Sequence, residues 1–376
     1  SLDPATGQAQ WRVPAGPKPG LLIRYGLVPM RPVCDDRHAY LRRLPDGGSP
    51  TLAAIRVADG TIAWDVASPA AGTAAARRFV SDPVLGQGGL QILELAPELM
   101  NQVLLVTIDR ETGARLHERP VCGLLPAWFA PRSNPTDPGD CQVSVSDGRM
   151  FVAIGGSVLC LAADGHVLWV RQQPWSGSPG NAWWRFQAQT PPLVHDGTLF
   201  VAQPGVDAVA AIAAADGTLR WRTPLDRLRR LVGMAGSGAA ARIIVETDAG
   251  LAALDPRDGT ARTILDARDG PGDGWLGIAP NRLLGPAVAT ADGLVIAAVH
   301  RRRPDTEKSS LLDVAIVWVD AGTGAVRHEA LVPALADKPP WVGPMTAADG
   351  KLWLLAGPNP RDMRRVLWEL APKPAP

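Results

Sequence analysis

The sequence predicts an all-β fold built from a repeated four-stranded unit, and three observations support this prediction. A short turn pattern recurs along the 376-residue chain, its glycines are spaced by 42 to 65 residues, and helical signals are nearly absent. A repeat of this length is typical of proteins built from stacked or radially arranged units. The seven copies are LDPATGQAQW (2–11), IRVADGTIAW (55–64), IDRETGARLH (108–117), LAADGHVLW (161–169), IAAADGTLRW (212–221), LDPRDGTART (254–263) and VDAGTGAVRH (319–328).

Each copy has the chemistry of a β-hairpin. Asp or Thr precedes a glycine, which adopts the positive φ that such turns require. Apolar residues before the turn and alternating residues after it predict two antiparallel strands. Two more short strands, joined by a tight turn, precede most copies, as in 191–205, 285–299 and 343–357. Each repeat is therefore predicted to be a four-stranded meander, with strands a, b, c and d in chain order.

The two ends of the chain complete one repeat. The last repeat supplies strands a, b and c, the third at 364–372, whereas residues 8–13 (QAQWRV) form a strand d without the strands that should precede it. Four-stranded units close radially into a β-propeller, which protects their edges. We predict a seven-bladed β-propeller, closed by pairing of the N- and C-terminal strands, as a single domain over residues 1–376. Because no Met precedes Ser1, we also expect a leader, anchor or tag before it.

Composition and charge exclude several classes of protein. Hydrophobic residues make up 46% and charged residues 20% of the chain, as in a folded globular protein. The formal net charge of +1 gives no strong field that would attract nucleic acid. No apolar run reaches the length of a membrane-spanning helix. We therefore expect no nucleic-acid partner and no transmembrane segment in this chain.

The four cysteines do not form a metal or redox motif. No Cys-x-x-Cys pair occurs, so neither a thiolate zinc site nor a thioredoxin-like motif is indicated. Cys160 lies in an apolar run and is expected to be buried. Cys122 and Cys141 flank a proline-rich loop, and two alternatives stay open for them: a disulfide in an oxidising compartment, or two free thiols.

The turn pattern resembles the tryptophan-docking motif of the pyrroloquinoline-quinone (PQQ) propeller superfamily, which SLDPATGQAQW (1–11) matches nearly in full. The resemblance implies that the tryptophan is structural, with its indole packed between adjacent blades and its N–H bonded to neighbouring backbone. It also implies that the histidines in this position pack between blades, and that the protein is exported to the bacterial cell envelope or periplasm. A cytoplasmic scaffold is the alternative. The docking position holds Trp11, Trp64, Trp169 and Trp221 in four copies and His117, Thr263 and His328 in the other three.

Quinoprotein alcohol dehydrogenases belong to this superfamily, so the resemblance implies a set of cofactors and residues that an enzyme of this type would require. It would hold PQQ and a calcium ion through Glu, Asn and Asp, with an Asp base, and many members carry a vicinal Cys-Cys pair that this sequence lacks. Asp266, Asp269 and Asp273 could surround a hard cation or belong to a solvated loop. His38, which follows two aspartates, is the histidine best placed for a metal.

No GxSxG, HExxH or phosphate-loop motif occurs. We therefore assign no catalytic, metal or cofactor-binding residue. A PQQ- or metal-dependent oxidoreductase is kept as the alternative function, with PQQ and calcium as its cofactors.

The connections from strand d to the next strand a are long in several repeats, at 65–80, 118–140, 171–190, 264–284 and 329–342. Long loops on one side of a rigid scaffold are typical of binding surfaces, and exposed Trp and Arg anchor protein interfaces. We predict a non-catalytic scaffold that binds a protein or peptide through this loop-rich d–a face, with carbohydrate binding on the same tryptophans as a further alternative. The candidate partner-binding residues are Trp175, Trp183, Trp184, Arg185, Trp128, Arg171, Trp275 and Trp341.

Overall fold

A computed structural model of the chain describes most strands of the repeats together with their short turns. The described residues are 32–43, 51–68, 77–86, 88–96, 99, 102–123, 141–154, 157–172, 190–203, 207–266, 283, 287–302, 312–332, 341–348, 351–357 and 366–370. Over this part of the chain the structure is all-β, with a short 3-10 turn at Gly238–Ala240 and no α-helix. The predicted fold class is confirmed.

The strands form seven antiparallel sheets within the described ranges, and strand order follows chain order in each. The first three sheets contain β1 (Val33–Cys34), β2 (His38–Arg43), β3 (Thr51–Arg56) and β4 (Ile62–Ala67); β5 (Arg78–Phe79), β6 (Val84–Gly86), β7 (Gly89–Ala96), β8 (Gln102–Ile108) and β9 (Arg115–Gly123); and β10 (Gln142–Ser146), β11 (Arg149–Ile154), β12 (Ser157–Leu161) and β13 (Val167–Gln172). The short strands β5 and β6 both pair with β7, so the second sheet still follows the four-step meander.

The remaining four sheets repeat this order. They contain β14 (Leu193–His195), β15 (Thr198–Gln203), β16 (Ala208–Ala213) and β17 (Leu219–Pro224); β18 (Leu228–Ala235), β19 (Arg242–Thr247), β20 (Gly250–Leu254) and β21 (Ala261–Asp266); β22 (Val288–Ala289), β23 (Leu294–Arg302), β24 (Leu312–Asp320) and β25 (Val326–Val332); and β26 (Trp341–Ala348), β27 (Lys351–Gly357) and β28 (Val366–Leu370). The last sheet has three strands. Its predicted fourth strand, residues 8–13, lies outside the described residues, so the closure and the count of seven blades stay predictions.

Contacts between Cα atoms divide the chain into two compact units, Ser1–Leu199 with Ile212–Thr218, and Phe200–Ala211 with Leu219–Pro376. In the first unit, one apolar cluster joins Tyr40 and Leu52 to Phe79 and Leu90. A second cluster joins the second sheet to the third, and its members include Leu93, Leu105, Met150, Val152 and Leu159. Strands b and c are therefore buried on both faces, which is why they read as continuous apolar runs in the sequence.

The second unit is built on the same principle. One cluster joins Ile244 and Leu251 of the fifth sheet to Val295 and Val317 of the sixth. Another joins the sixth sheet to the seventh, with Ile316, Val314, Met345 and Leu352 among its members. Within each unit, neighbouring sheets thus bury their apolar faces against each other.

The cysteines do not form the disulfide that was one of the two alternatives. Cys122 lies in β9 and pairs with Val103 of β8, whereas the backbone N–H of Cys141 donates to the carbonyl of Val80, next to β5. Two strands, β7 and β8, lie between these positions. Strands lie about 4.8 Å apart, so the two Cα atoms are much farther apart than the ~7 Å limit for a disulfide. None of the four cysteines forms a disulfide, and Cys160 is fully buried as expected.

Candidate functional site

Trp64 links the strand d of the first sheet to the c–d turn of the second. Its indole N–H donates to the carbonyl of Arg110 at 2.9 Å. A Cβ atom at Gly113 would lie 2.8 Å from the indole ring, and Gly113 has a φ of +74°. Glycine is therefore required at this turn twice, once for its backbone conformation and once for the close approach of the indole.

Two further tryptophans repeat this geometry. The N–H of Trp169 donates to Ala214 at 3.1 Å and that of Trp221 donates to Pro256 at 3.0 Å. Their rings lie against Gly217 and Gly259, where an added Cβ would be 2.8 and 2.5 Å away. In all three cases the accepting carbonyl comes three residues before the turn glycine. The structural role that the resemblance implied for these tryptophans is confirmed.

His117 does not pack between sheets, so the prediction made for it is wrong. Its side chain is exposed. At Gly165, the turn glycine of the next sheet, an added Cβ would lie 2.8 Å from Cδ2 of Leu105 and 3.2 Å from Cδ of Arg119. The Arg119 guanidinium donates to the carbonyl of Asp164 at 3.0 Å and also contacts His166. The side chain of Arg119 is longer than that of His117, so it reaches the c–d turn of the third sheet. It makes the contact with this turn that an indole makes in the repeats with Trp64, Trp169 and Trp221.

In the fifth sheet, too, an arginine makes the contact with the next c–d turn. Thr263 is exposed, and the guanidinium of the preceding Arg262 donates to the carbonyls of Gly322 and, at 3.5 Å, Ala321. Ala321 is three residues before Gly324, the same position as the acceptors of the indole N–H groups. Sequence reasoning missed both arginines; the available signal was an Arg within two residues of each position that lacks Trp.

His328 packs within its own sheet. Its ring centroid lies 4.9 Å from that of Trp318, which is opposite to it on β24. The imidazole is exposed. In the predicted closed ring the next c–d turn lies within residues 2–11, which are outside the described residues.

Arg171 is the candidate binding residue whose side chain the structure describes. It lies in β13, is half-buried, and donates to the carbonyl of Gly217 at 3.1 Å. Thr223 holds the equivalent position in β17 and donates to Gly259 at 2.7 Å. The Arg171 guanidinium therefore contributes to docking, and its role in binding a partner stays a prediction.

The other candidate residues cannot be placed in the same way. Trp341 begins β26, where its backbone pairs with Gly357, but its side chain is outside the described part. The rest fall in segments outside the described residues: Trp128, Trp175, Trp183, Trp184, Arg185 and Trp275. Their grouping on one surface stays a prediction.

The connections at the two ends of the sheets differ in length, as predicted. The c–d turns are short, as at 57–61, 162–166 and 214–218. The connections after strand d include 124–141 and 173–192, and those after β21 and β25 are also long. In an antiparallel meander, the b–c and d–a connections leave from one end of the sheet and the c–d turns from the other. The long connections named above therefore leave from the same end of their sheets.

The c–d turns are bound internally by their own acidic residues. Asp109 accepts hydrogen bonds from the backbone N–H groups of Glu111 and Thr112 at 3.0 and 2.8 Å. Asp320 accepts from Thr323 and from the Arg327 guanidinium, and the hydrogen bond from Arg327 is the main reason why the pKa of Asp320 falls to about 2. These carboxylates hold the turns in shape.

A buried ion cluster lies in the second sheet. Glu94 is fully buried and accepts two hydrogen bonds from Arg115, at 3.1 and 2.6 Å. Burial is the largest single influence on Arg115 and disfavours its charge, but the hydrogen bonds and negative charges of Glu94 and Glu118 together outweigh it and raise the pKa of the guanidinium. Arg77 bridges Glu94 and Glu118 at 3.5 and 3.0 Å. Because each buried charge meets an opposite charge, the cluster is structural in character.

No group of three or more His, Cys, Asp or Glu residues that could hold a metal ion occurs among the described residues. Near His38, the Asp35 carboxylate accepts from the backbone of Arg37 and His38 and from the hydroxyl of Tyr40 at 2.7 Å. It is therefore engaged in the a–b turn. Of the proposed cation loop, Asp266 ends β21, and the other two aspartates lie outside the described ranges.

Within the part of the chain that the structure describes, no helix has the length and apolar character needed to cross a membrane.

Comparison with known proteins supports the fold and the family. No curated protein matches the sequence significantly. BamB from Moraxella catarrhalis is similar in structure, with a TM-score of 0.52 and 13% identity over 85% of this chain and 80% of that chain. The quinohemoprotein alcohol dehydrogenase from Comamonas testosteroni also has a TM-score of 0.52 and 13% identity, over 86% of this chain but only 64% of the enzyme. At this identity both show the β-propeller fold alone.

A family model described as "Outer membrane protein assembly factor BamB" matches residues 1–120 and 103–271, which is more than half of the chain. The matched residues contain six of the seven repeated turns and all three tryptophan–glycine contacts described above. The chain therefore belongs to this BamB-like family of PQQ-type β-propellers.

Proposed function

We propose that the protein is a non-catalytic propeller scaffold that binds a protein or peptide partner through its d–a face. The observation that carries the proposal is the difference between the two ends of the sheets. The c–d turns are short and their polar groups are bound internally, as at Asp109 and Asp320. The long connections at the opposite end are where a rigid scaffold presents binding residues.

The residue types in one of these connections suit a protein partner. Residues 173–189 contain Trp175, Trp183, Trp184 and Arg185. Trp and Arg are the side chains most enriched among residues that dominate binding energy at interfaces. Family membership supports the same function, because the family model is described as an assembly factor.

The description of the family also supports a location at the cell envelope, since it names the outer membrane. We propose that the protein is exported and acts in the periplasm. A scaffold needs no cofactor, so we expect its melting temperature to be unchanged by PQQ with calcium. A rise with PQQ and calcium would favour the oxidoreductase alternative, and a rise with an oligosaccharide would favour carbohydrate binding.

The proposal is tested by quantitative co-purification of the tagged chain from cell envelopes. We expect the double variant Trp184→Ala, Arg185→Ala to lose the partner that the parent recovers. The matched control is Arg220→Ala, Arg222→Ala, which removes two exposed side chains from β17 and should recover the partner fully. Equal recovery by the loop variant and the parent would overturn the proposal.

A further inference from the structure

We draw no further inference here: the strongest candidate, the exposed apolar edge of strand β13 at Val167, Leu168 and Val170, carries nothing because no feature of the described residues shows what covers it.

Discussion

The indole of Trp64 occupies the space that a side chain at Gly113 would need, and its N–H donates to Arg110 at 2.9 Å. The contact joins strand d of one sheet to the c–d turn of the next, so stability depends on two residues far apart in sequence. The same relationship recurs between Trp221 and Gly259.

Gly113→Ala should destabilise the protein strongly. The new Cβ would clash with the indole at 2.8 Å in a backbone with φ of +74°, so strain and overpacking should together lower the free energy of unfolding by about 2–5 kcal/mol. Gly197→Ala is the control, because Gly197 has a φ of +64° but nothing within 4 Å of an added Cβ. Gly197→Ala should lower the free energy of unfolding only by the cost of a left-handed backbone conformation, about 1–2 kcal/mol. Equal losses in urea denaturation would show that the indole contact does not matter.

Arg119→Ala should weaken the contact between the second and third sheets. It removes the hydrogen bond to Asp164 at 3.0 Å and should lower the free energy of unfolding by about 1 kcal/mol. His117→Ala changes an exposed side chain, so its free energy of unfolding should stay within about 0.5 kcal/mol of the value for the parent. If the histidine variant is the less stable of the two, Arg119 is not the docking residue.

Glu94→Gln should be costly because it leaves Arg115 facing a neutral amide in a buried place. We expect the free energy of unfolding to fall by about 3 kcal/mol. Glu111 makes an ion pair with Arg37 in which both side chains are at least half exposed, so Glu111→Gln should cost at most about 1 kcal/mol. Chemical denaturation of both variants at low salt measures the difference, and similar losses would contradict the structural role of Glu94.

Stability should depend on Asp320 at acidic pH. The hydrogen bond from Arg327 lowers the pKa of this carboxyl in the folded state to about 2, from an ordinary value of 3.8. A lowered pKa contributes stability above pH 4, and this contribution is lost as the pH falls toward 2. Asp320→Asn should therefore lower the melting temperature at pH 6 and flatten its dependence on pH between 4 and 2. Parallel curves for variant and parent would refute this.

Much of the fold follows from the spacing of glycines and tryptophans, because each repeat needs a positive-φ turn and an indole beside it. The roles of Arg119 and Arg262 did not follow, since a motif marks the docking position but not which neighbouring side chain reaches the next turn. The separation of Cys122 from Cys141 was also hidden, because a loop that joins two repeats says little about distance across a sheet. The candidate site is predictable only as a segment rich in Trp and Arg.

Closure of the ring stays a prediction that a substitution can test. Replacing residues 8–13 by a Gly-Ser linker should expose the edge of β28 (Val366–Leu370) and lower the melting temperature by several degrees. Replacing the same number of residues within 333–338, after β25, is the control and should have little effect. An unchanged melting temperature in the first variant would mean that the two ends do not pair.

The most direct test of the scaffold proposal is photo-crosslinking in living cells with a photoreactive residue placed at either end of the sheets. At Trp184, in the segment after β13, it should give a discrete adduct with one partner protein. At Asp216, an exposed residue of the c–d turn that follows β16, it should give none. Adducts at Asp216 but not at Trp184 would contradict the proposal that the loop-rich d–a face binds the partner.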